Sequence, residues 1–200
     1  PGAKKLRDIY QITPDAPLYQ TEFGFYCLEK WKEEQGLPEE VDLAELFGYD
    51  EPGRHFLGGL GWCEAAFVPG FEEKIIEDRG EHEVVQDNAG RHVLYFKGER
   101  QGFMPEYLDH PVKDKKTWEE NCKWRLDPNT QERFANLEQD MENVKKEAGK
   151  GKIISQRVIG GYMYLRSLMG PEDLLYKFYD SPELIHDCMQ SWFDIADSVA

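Results

Sequence analysis

The strongest constraint on the fold is a helix-length apolar stripe that leads directly into a strand-length apolar run. Five apolar residues recur at offsets of 0, 3, 7, 10 and 14, as they would on one face of an α-helix. They are Phe134, Leu137, Met141, Val144 and Ala148. Gly149 and Gly151 end this helix, and residues 152–158 then have the pattern of a short buried strand. A helix followed by such a strand is typical of a parallel sheet, so we predict an α/β fold.

A second, shorter period marks the segment before that helix. Three β-prone runs are separated by turn sequences, of which Asp87-Asn88-Ala89-Gly90 is a good hairpin turn. The runs cover residues 71–78, 83–86 and 93–97. We predict an antiparallel meander of three strands here. The Gly- and Pro-rich residues 51–70 before it are predicted to form a long irregular loop.

Helix and strand signals also occur towards both ends of the chain. Helices are predicted over residues 4–12, 26–35 and 42–47, and from Gly170 and Ser181 onward. A further helix through Lys123 begins at Asp114 or Thr117, of which Thr117 has the capping-box spacing with Glu120. A first strand is predicted over residues 18–25, which are rich in Tyr, Phe and Thr.

The apolar stripe of the last helix continues to the end of the sequence without a stop signal; it consists of Ile185, Met189, Trp192, Phe193, Ala196 and Val199. We therefore expect the chain to be part of a longer one.

The charge balance limits the partners of the chain. With 24 Lys and Arg against 39 Asp and Glu, the formal net charge is −15. This charge disfavours nucleic acid and anionic membrane surfaces. No apolar run approaches the roughly 18 residues of a membrane span, and no signal-peptide pattern is present. We predict a cytoplasmic protein that binds neither nucleic acid nor membranes.

The cysteines indicate neither a disulfide scaffold nor a local zinc site, because the four of them are widely spaced. They are Cys27, Cys63, Cys122 and Cys188. His186 and Cys188 have the spacing of a His-x-Cys zinc pair, but on a helix they would lie about 200° apart and diverge. A P-loop, a dinucleotide fingerprint and a nucleophile elbow are all absent from the sequence. No metal ligand is assigned.

The order of several short motifs resembles the uroporphyrinogen decarboxylase superfamily, and in particular its branch near the corrinoid and coenzyme M methyltransferases. Among them, Val158-Ile159-Gly160-Gly161-Tyr162 carries the resemblance most strongly. The other segments are Pro14–Pro17, Thr21–Gly24, Phe71–Glu77, Met104–Asp114 with Trp118, Arg125–Pro128, Leu165-Arg166, Met169-Gly170 and Asp180–Leu184. Together they extend over nearly the whole chain.

The resemblance implies a (β/α)₈ TIM barrel that acts on a small-molecule substrate at the C-terminal ends of its strands. Residues 1–200 would form the front portion of this single domain. Barrel strands are expected at residues 17–23 and 152–158, with residues 51–113 as a loop and β-meander insertion outside the barrel. The remainder of the chain, or a second copy in a homo-oligomer, would complete it. The sequence assigns no cofactor. Zinc and a corrinoid, which the methyltransferase branch uses, would be held by residues beyond 200.

Departures from the family pattern decide among its activities. True decarboxylases carry an Arg-rich segment after the first strand, whereas this chain has Glu22-Phe23-Gly24-Phe25-Tyr26, which would repel a polycarboxylate. Their catalytic Asp motif has no convincing match either. We expect methyl transfer to a corrinoid or thiol in the parent enzyme. Uroporphyrinogen decarboxylation and a non-catalytic, barrel-derived binding module are the alternatives.

Six residues are predicted to form the site, at or after the two barrel strands and in one turn. Glu22, at the end of the first strand, is expected to act as a catalytic hydrogen-bond acceptor or general base. The five expected to bind substrate, by Arg and Tyr contacts to a carboxylate or phosphate or by a turn histidine, are Arg157, Tyr162, Tyr164, Arg166 and His110.

Overall fold

A computed structural model describes residues 2–21, 28–38, 40–57, 66–98 and 105–199. Its helices are α1 (Gly2–Tyr10), α2 (Leu28–Gln35), α3 (Leu43–Phe47), α4 (Lys115–Thr117), α5 (Leu137–Gly149), α6 (Gly161–Met169), α7 (Pro171–Asp180) and α8 (Pro182–Val199). Its strands are β1 (Arg54–Leu57), β2 (Lys74–Arg79), β3 (His82–Gln86), β4 (His92–Phe96), β5 (Glu106–Asp109) and β6 (Ile153–Gln156). The described residues form two compact units: unit 1 holds those up to Leu57 and Glu138–Ser155, and unit 2 holds the others.

In unit 1 the first helix lies tightly against the segment that leads into β1. A Cβ atom at Gly53 would stand 2.5 Å from the backbone nitrogen of Ala3, so only glycine allows this approach. Arg7 of α1 donates a hydrogen bond of 2.7 Å to the carbonyl of Gly151, which lies just before β6. β1 and β6 pair as a two-stranded parallel sheet. This pairing joins the two chain segments of unit 1, the one that ends at Leu57 and the one that ends at Ser155.

The short helix α3 has the ends that its sequence predicts. The Asp42 carboxylate accepts hydrogen bonds from the backbone N–H groups of Ala44 and Glu45, at 2.8 and 3.2 Å. Such a cap satisfies two of the N–H groups that a helix start leaves unpaired. Gly48 follows the helix with a φ of 66°, a left-handed conformation that favours glycine.

The antiparallel pairing expected between residues 71 and 97 is present in unit 2. The sheet has the order β2-β3-β4-β5, and Val85 of β3 lies opposite Val93 of β4. At the β3–β4 turn, Asp87 accepts backbone hydrogen bonds from Ala89 and Arg91. β5 is a fourth strand that the sequence analysis missed, because its pairing with β4 spans an irregular register and a longer connection.

The core of unit 2 is formed by α6, α7 and α8 together with the segment that contains Trp118. The largest side chains with no accessible surface or almost none are Trp118, Tyr164, Leu168, Trp192 and Ile195. The indole N–H of Trp118 donates to the Asp187 carboxylate at 2.9 Å, and Lys123 donates to the same group at 2.7 Å. The buried indole therefore has a polar partner, as a buried tryptophan requires.

The helix predicted to run through Lys123 differs in form. Of its two predicted caps the structure uses Asp114, which forms a capping box with Thr117 in place of the one expected between Thr117 and Glu120. After α4 the chain passes into a π-helical turn at Trp118–Cys122 and a 3₁₀ turn at Lys123–Leu126. These turns place Trp118, Cys122 and Leu126 in the core. A regular helix over the same residues would distribute them differently around its axis.

The predicted TIM barrel is wrong. Within the described residues, two strands form a small parallel sheet and four form an antiparallel sheet, with no (β/α)₈ pattern. The antiparallel sheet lies within residues 51–113, which were expected outside the barrel, so the parallel strands decide the question. Within the described residues, β6 at the second expected barrel strand pairs with β1 from inside that expected insertion, so the expected barrel pairing does not form. Of the expected first barrel strand at 17–23, residues 17–21 form no strand. The rest of that strand lies outside the described residues.

The apolar stripe at 134–148 does not pack as predicted. α5 begins at Leu137 and buries no residue, with Leu137 49% and Met141 39% exposed. A helical period therefore marks the helix correctly but does not show whether its apolar face is covered.

Within the described residues, no helix is both long and apolar enough to cross a membrane.

Candidate functional site

The structure does not gather the six predicted site residues into one place. Glu22 lies outside the described residues. Tyr164 is fully buried and stacks on Trp192 with ring centroids 4.5 Å apart, so it packs in the core of unit 2. Arg166 is exposed on the same helix, with Met163 as a weak neighbour at 3.9 Å. Arg157 and Tyr162 are exposed after β6, and His110 lies apart from them at the end of β5.

A cleft does occur beside Arg157, between the segment that follows β6 and the outer face of α8. Its volume is about 460 Å³, and it is open to solvent along one side. The residues that line it are Val158, Gln190, Phe193, Asp194, Ala196 and Asp197. We call this feature the α8 cleft. None of the six predicted site residues lines it.

The packing of α8 determines which side chains reach the cleft. Its inner face, with Cys188, Trp192 and Ile195, is buried in the core of unit 2. Residues on the opposite side of the same turns therefore point to solvent, as Phe193 does with 57% of its surface exposed. An exposed phenylalanine at the centre of a cleft is an available apolar contact surface.

The wall that faces α8 across the cleft contains Val158, and a hydrogen bond close to it links this wall to α8. The side-chain amide of Gln156, the last residue of β6, donates to the carbonyl of Val199 at 2.6 Å. This bond ties the end of α8 to the strand end, two residues before Val158. It also satisfies a carbonyl in the last turn of α8, where helix carbonyls have no partner within the helix.

The electrostatics of the cleft favour a cation. α8 contains four carboxylates and no Lys or Arg. Asp194 and Asp197 lie in its last two turns, where the helix dipole is already negative. Asp194 accepts a hydrogen bond of 2.7 Å from Gln190, which fixes its carboxylate beside the apolar surface. The arrangement combines an apolar floor with two negative charges, the opposite of the Arg-based anion site expected from the sequence.

A second polar group of residues surrounds His110, and we call it the His110 cluster. The imidazole packs on Gly170, where a Cβ atom would stand 2.9 Å from Nδ1. On its other side lies the ring of Tyr107, at a centroid distance of 6.1 Å. The guanidinium of Arg91 lies 4.8 Å from the centre of that Tyr107 ring and donates to Ser167 Oγ at 2.9 Å. His110 is not among the residues that line the α8 cleft.

Charges around the cluster shift two titrating groups. Burial, and then the positive charges of Lys113 and Arg91, lower the pKa of His110 below 6.5, with smaller opposing effects from Asp109 and Asp173. For Asp109, burial raises the pKa, but hydrogen bonds from Lys113 and from the His110 backbone N–H bring it below its ordinary value. The cluster therefore holds a neutral imidazole beside an ionised carboxylate at neutral pH.

This shift leads to a prediction for stability against pH. Since His110 has a lower pKa folded than unfolded, the unfolded chain binds the extra proton more readily below pH 6.5. The contribution of neutral His110 to the free energy of unfolding is complete above pH 6.5. It is lost as the pH falls below 6.5 towards the pKa of His110 in the folded chain. Between about pH 7.5 and about pH 5.5, wild type is expected to lose more free energy of unfolding than His110→Gln. Urea titrations at both values measure the difference, with His186→Gln as the control.

An equal loss in the wild type and in His110→Gln would contradict this assignment. His186 is a suitable control because it is exposed on α8, away from the cluster. If the His186→Gln chain loses as much as the wild type while His110→Gln loses less, the effect belongs to the buried imidazole.

The two cysteines of unit 2 that the structure describes, Cys122 and Cys188, are structural. Cys122 and Cys188 are free and fully buried, and burial raises the pKa of the Cys122 thiol to about 12. Burial also raises the pKa of Cys188. Thiols of this kind are poor nucleophiles and poor metal ligands at neutral pH. His186 is exposed while Cys188 is buried, so the two diverge around α8 as the sequence predicts.

No metal centre emerges from the described ranges, in which no group of three or more His, Cys, Asp or Glu could hold an ion. Cys27 and Cys63 lie outside those ranges.

Comparison with protein-family models, with curated proteins and with solved structures found no match to this chain. The resemblance to the uroporphyrinogen decarboxylase superfamily therefore stays a prediction.

Sequence reasoning missed the residues that line the α8 cleft. It placed Phe193 in the buried stripe of the last helix, together with Ile185, Met189 and Trp192. The structure instead buries Leu184, Ile185, Cys188, Trp192 and Ile195. A signal was present: Asp194 and Asp197 stand one and four positions after Phe193, where a core face would not have two carboxylates.

Proposed function

We propose that this chain is a binding module whose α8 cleft takes a ligand with an apolar body and a cationic group. The observation that carries the proposal is the juxtaposition of exposed Phe193 and Val158 with Asp194 and Asp197 in one cleft. Apolar surface supplies affinity, while the charged rim selects the sign of the ligand.

The size of the cleft limits the ligand. A volume of about 460 Å³ lies within the range of small-molecule sites, but the cleft is open and shallow compared with an enzyme pocket. An open site buries only part of a ligand, so a small amine is expected to bind with a Kd on the order of 1 mM. Such a site suits recognition better than chemistry, because catalysis depends on excluding water from the reacting groups.

Binding of an aromatic amine tests the proposal. Phenethylammonium has an apolar ring and one positive charge, and it is expected to bind the wild-type chain. Phenylpropionate, of nearly the same shape but negative, is expected to bind at least about tenfold more weakly, because two carboxylates face the ligand. Calorimetric titration or ligand-observed NMR measures both. Equal binding of the two compounds would contradict the proposal.

Variants locate the binding. Asp194→Asn with Asp197→Asn removes both charges from the cleft and nearly preserves shape, and it is expected to weaken phenethylammonium binding by about tenfold. The matched control is Glu172→Gln with Asp180→Asn on α7, which removes two exposed charges elsewhere in unit 2. A similar loss in both double variants would attribute binding to the overall charge of the chain.

The activities implied by the resemblance stay predictions. These are methyl transfer to a corrinoid or thiol, and release of CO₂ from uroporphyrinogen. Because the predicted barrel is wrong, the positions of the strand ends do not support these activities. Each activity would be tested by measuring turnover of its own substrate. The cytoplasmic location is likewise a proposal, supported by the free thiols of Cys122 and Cys188, which are typical of reducing compartments.

A further inference from the structure

We infer that the occupant of the α8 cleft is a basic amphipathic helix of a partner protein. This inference rests on the proposed function and specifies its ligand. It begins from the spacing of the lining residues. Gln190, Phe193, Asp194 and Asp197 stand at positions i, i+3, i+4 and i+7 of α8. Side chains at this spacing form one continuous stripe along a helix.

The stripe has the length and form of a helix-packing surface. Seven positions at 1.5 Å each extend about 10 Å along the axis, or two turns. A second helix packs on such a ridge with its own residues at the same spacing. Val158 opposite the stripe is 45% exposed and provides the second wall, so the partner helix would lie in a groove and not on a flat face.

Charge complementarity specifies the partner. Asp194 and Asp197 are one turn apart on the stripe, and α8 has no Lys or Arg to neutralise them. A partner helix with Lys or Arg residues one turn apart, beside an apolar position that contacts Phe193, would satisfy both carboxylates. Each cation would also lie near the negative end of the α8 dipole. An acidic or uniformly apolar helix would leave the two carboxylates desolvated and unpaired.

Three synthetic peptides test the inference. The first, of about 15 residues so that a helix can form, has Leu at positions i, i+3, i+4 and i+7 and Lys beside them. The second has the same composition in scrambled order, so that no single face is apolar. The third has Glu in place of each Lys. Fluorescence anisotropy with the 200-residue chain is expected to give at least about tenfold tighter binding for the first peptide than for either of the other two.

Two variants assign that binding to the cleft. Phe193→Ala removes the central apolar contact and is expected to weaken binding of the first peptide by about tenfold or more. Asp194→Asn with Asp197→Asn is expected to weaken it by about tenfold and to reduce its dependence on salt. Leu175→Ala on the exposed side of α7 is the matched apolar control and is expected to leave binding unchanged.

The outcomes separate this inference from the proposed function. If phenethylammonium binds the cleft but the first peptide binds no better than the scrambled one, the site recognises a small cation and the helix partner is wrong. If neither compound binds, the proposed function fails as well. Preferential binding of the first peptide that both cleft variants weaken supports the helix partner.

Discussion

Trp118→Ala is expected to lower the free energy of unfolding by about 3–5 kcal/mol, the cost of deleting a large buried aromatic side chain. Trp118 has no accessible surface and lies in the core cluster of unit 2 with Leu168 and Trp192. Its removal also takes one hydrogen-bond donor from Asp187, whose other donor, Lys123, remains. The measurement is urea or thermal unfolding of the complete chain.

Trp124→Ala is the matched control, since the same side chain is removed from an exposed position. Trp124 is 50% exposed, and its indole N–H bonds to the carbonyl of Glu120, one turn earlier. The expected cost is about 1 kcal/mol or less, as is usual for surface substitutions. If the two substitutions cost the same, the position of Trp118 in the core would be wrong.

Gly170→Ala is expected to destabilise the chain by about 2–6 kcal/mol for two separate reasons. Gly170 has φ 84° and ψ 159°, a conformation that costs a residue with a Cβ about 1–3 kcal/mol. The new Cβ would also stand 2.9 and 3.0 Å from Nδ1 and Cε1 of His110, and such overpacking adds about 1–3 kcal/mol. Chemical unfolding measures the total.

The two reasons can be separated experimentally. Gly98→Ala places a Cβ at nearly the same φ, 79°, but this Cβ would meet nothing within 4 Å. Its cost should therefore contain a backbone part and no overpacking. In a His110→Ala background, Gly170→Ala should cost less than in the wild type, by about the 1–3 kcal/mol of the overpacking part. If the cost of Gly170→Ala is unchanged by His110→Ala, the contact between the imidazole and Gly170 would be refuted.

The elements that the sequence predicts correctly are those with local causes. The turn at Asp87–Gly90 and the caps of α3 depend on side chains that bond to backbone within four residues. These interactions form wherever the segment lies in the fold. Helix periods and turn residues therefore locate α1, α2, α3, α5, α7, α8 and three of the four strands of the antiparallel sheet.

Long-range pairing is where the prediction fails. α5 and β6 do follow one another, and β6 does pair in parallel with another strand. However, its partner is β1, a strand within residues predicted to be an irregular loop. A local apolar pattern shows that a strand must pair with another strand, but it does not identify that partner. The pattern of residues 152–158 was therefore equally consistent with a barrel. The resemblance supplied the barrel, and the described residues exclude it because their parallel sheet has two strands, one of which lies within the expected insertion.

The same reason explains the outcome for the site. Tyr164 and Arg166 are only two positions apart, yet one is in the core and the other in solvent, because α6 packs on α8 by one face. The choice of that face depends on the partner helix. For α8 the buried face is shifted from the predicted one, which moves Phe193 from the core to the cleft. Residue type alone identified the polar and aromatic candidates but could not orient them.

Chemical-shift mapping tests the central claim, that the α8 cleft is the binding site of this chain, most directly. Backbone amide spectra of the ¹⁵N-labelled protein would be recorded during a titration with phenethylammonium. The expected result is a saturable set of shifts at Val158 and along Gln190–Asp197, absent in Asp194→Asn with Asp197→Asn. Saturable shifts confined to other residues, or none at all, would contradict the claim.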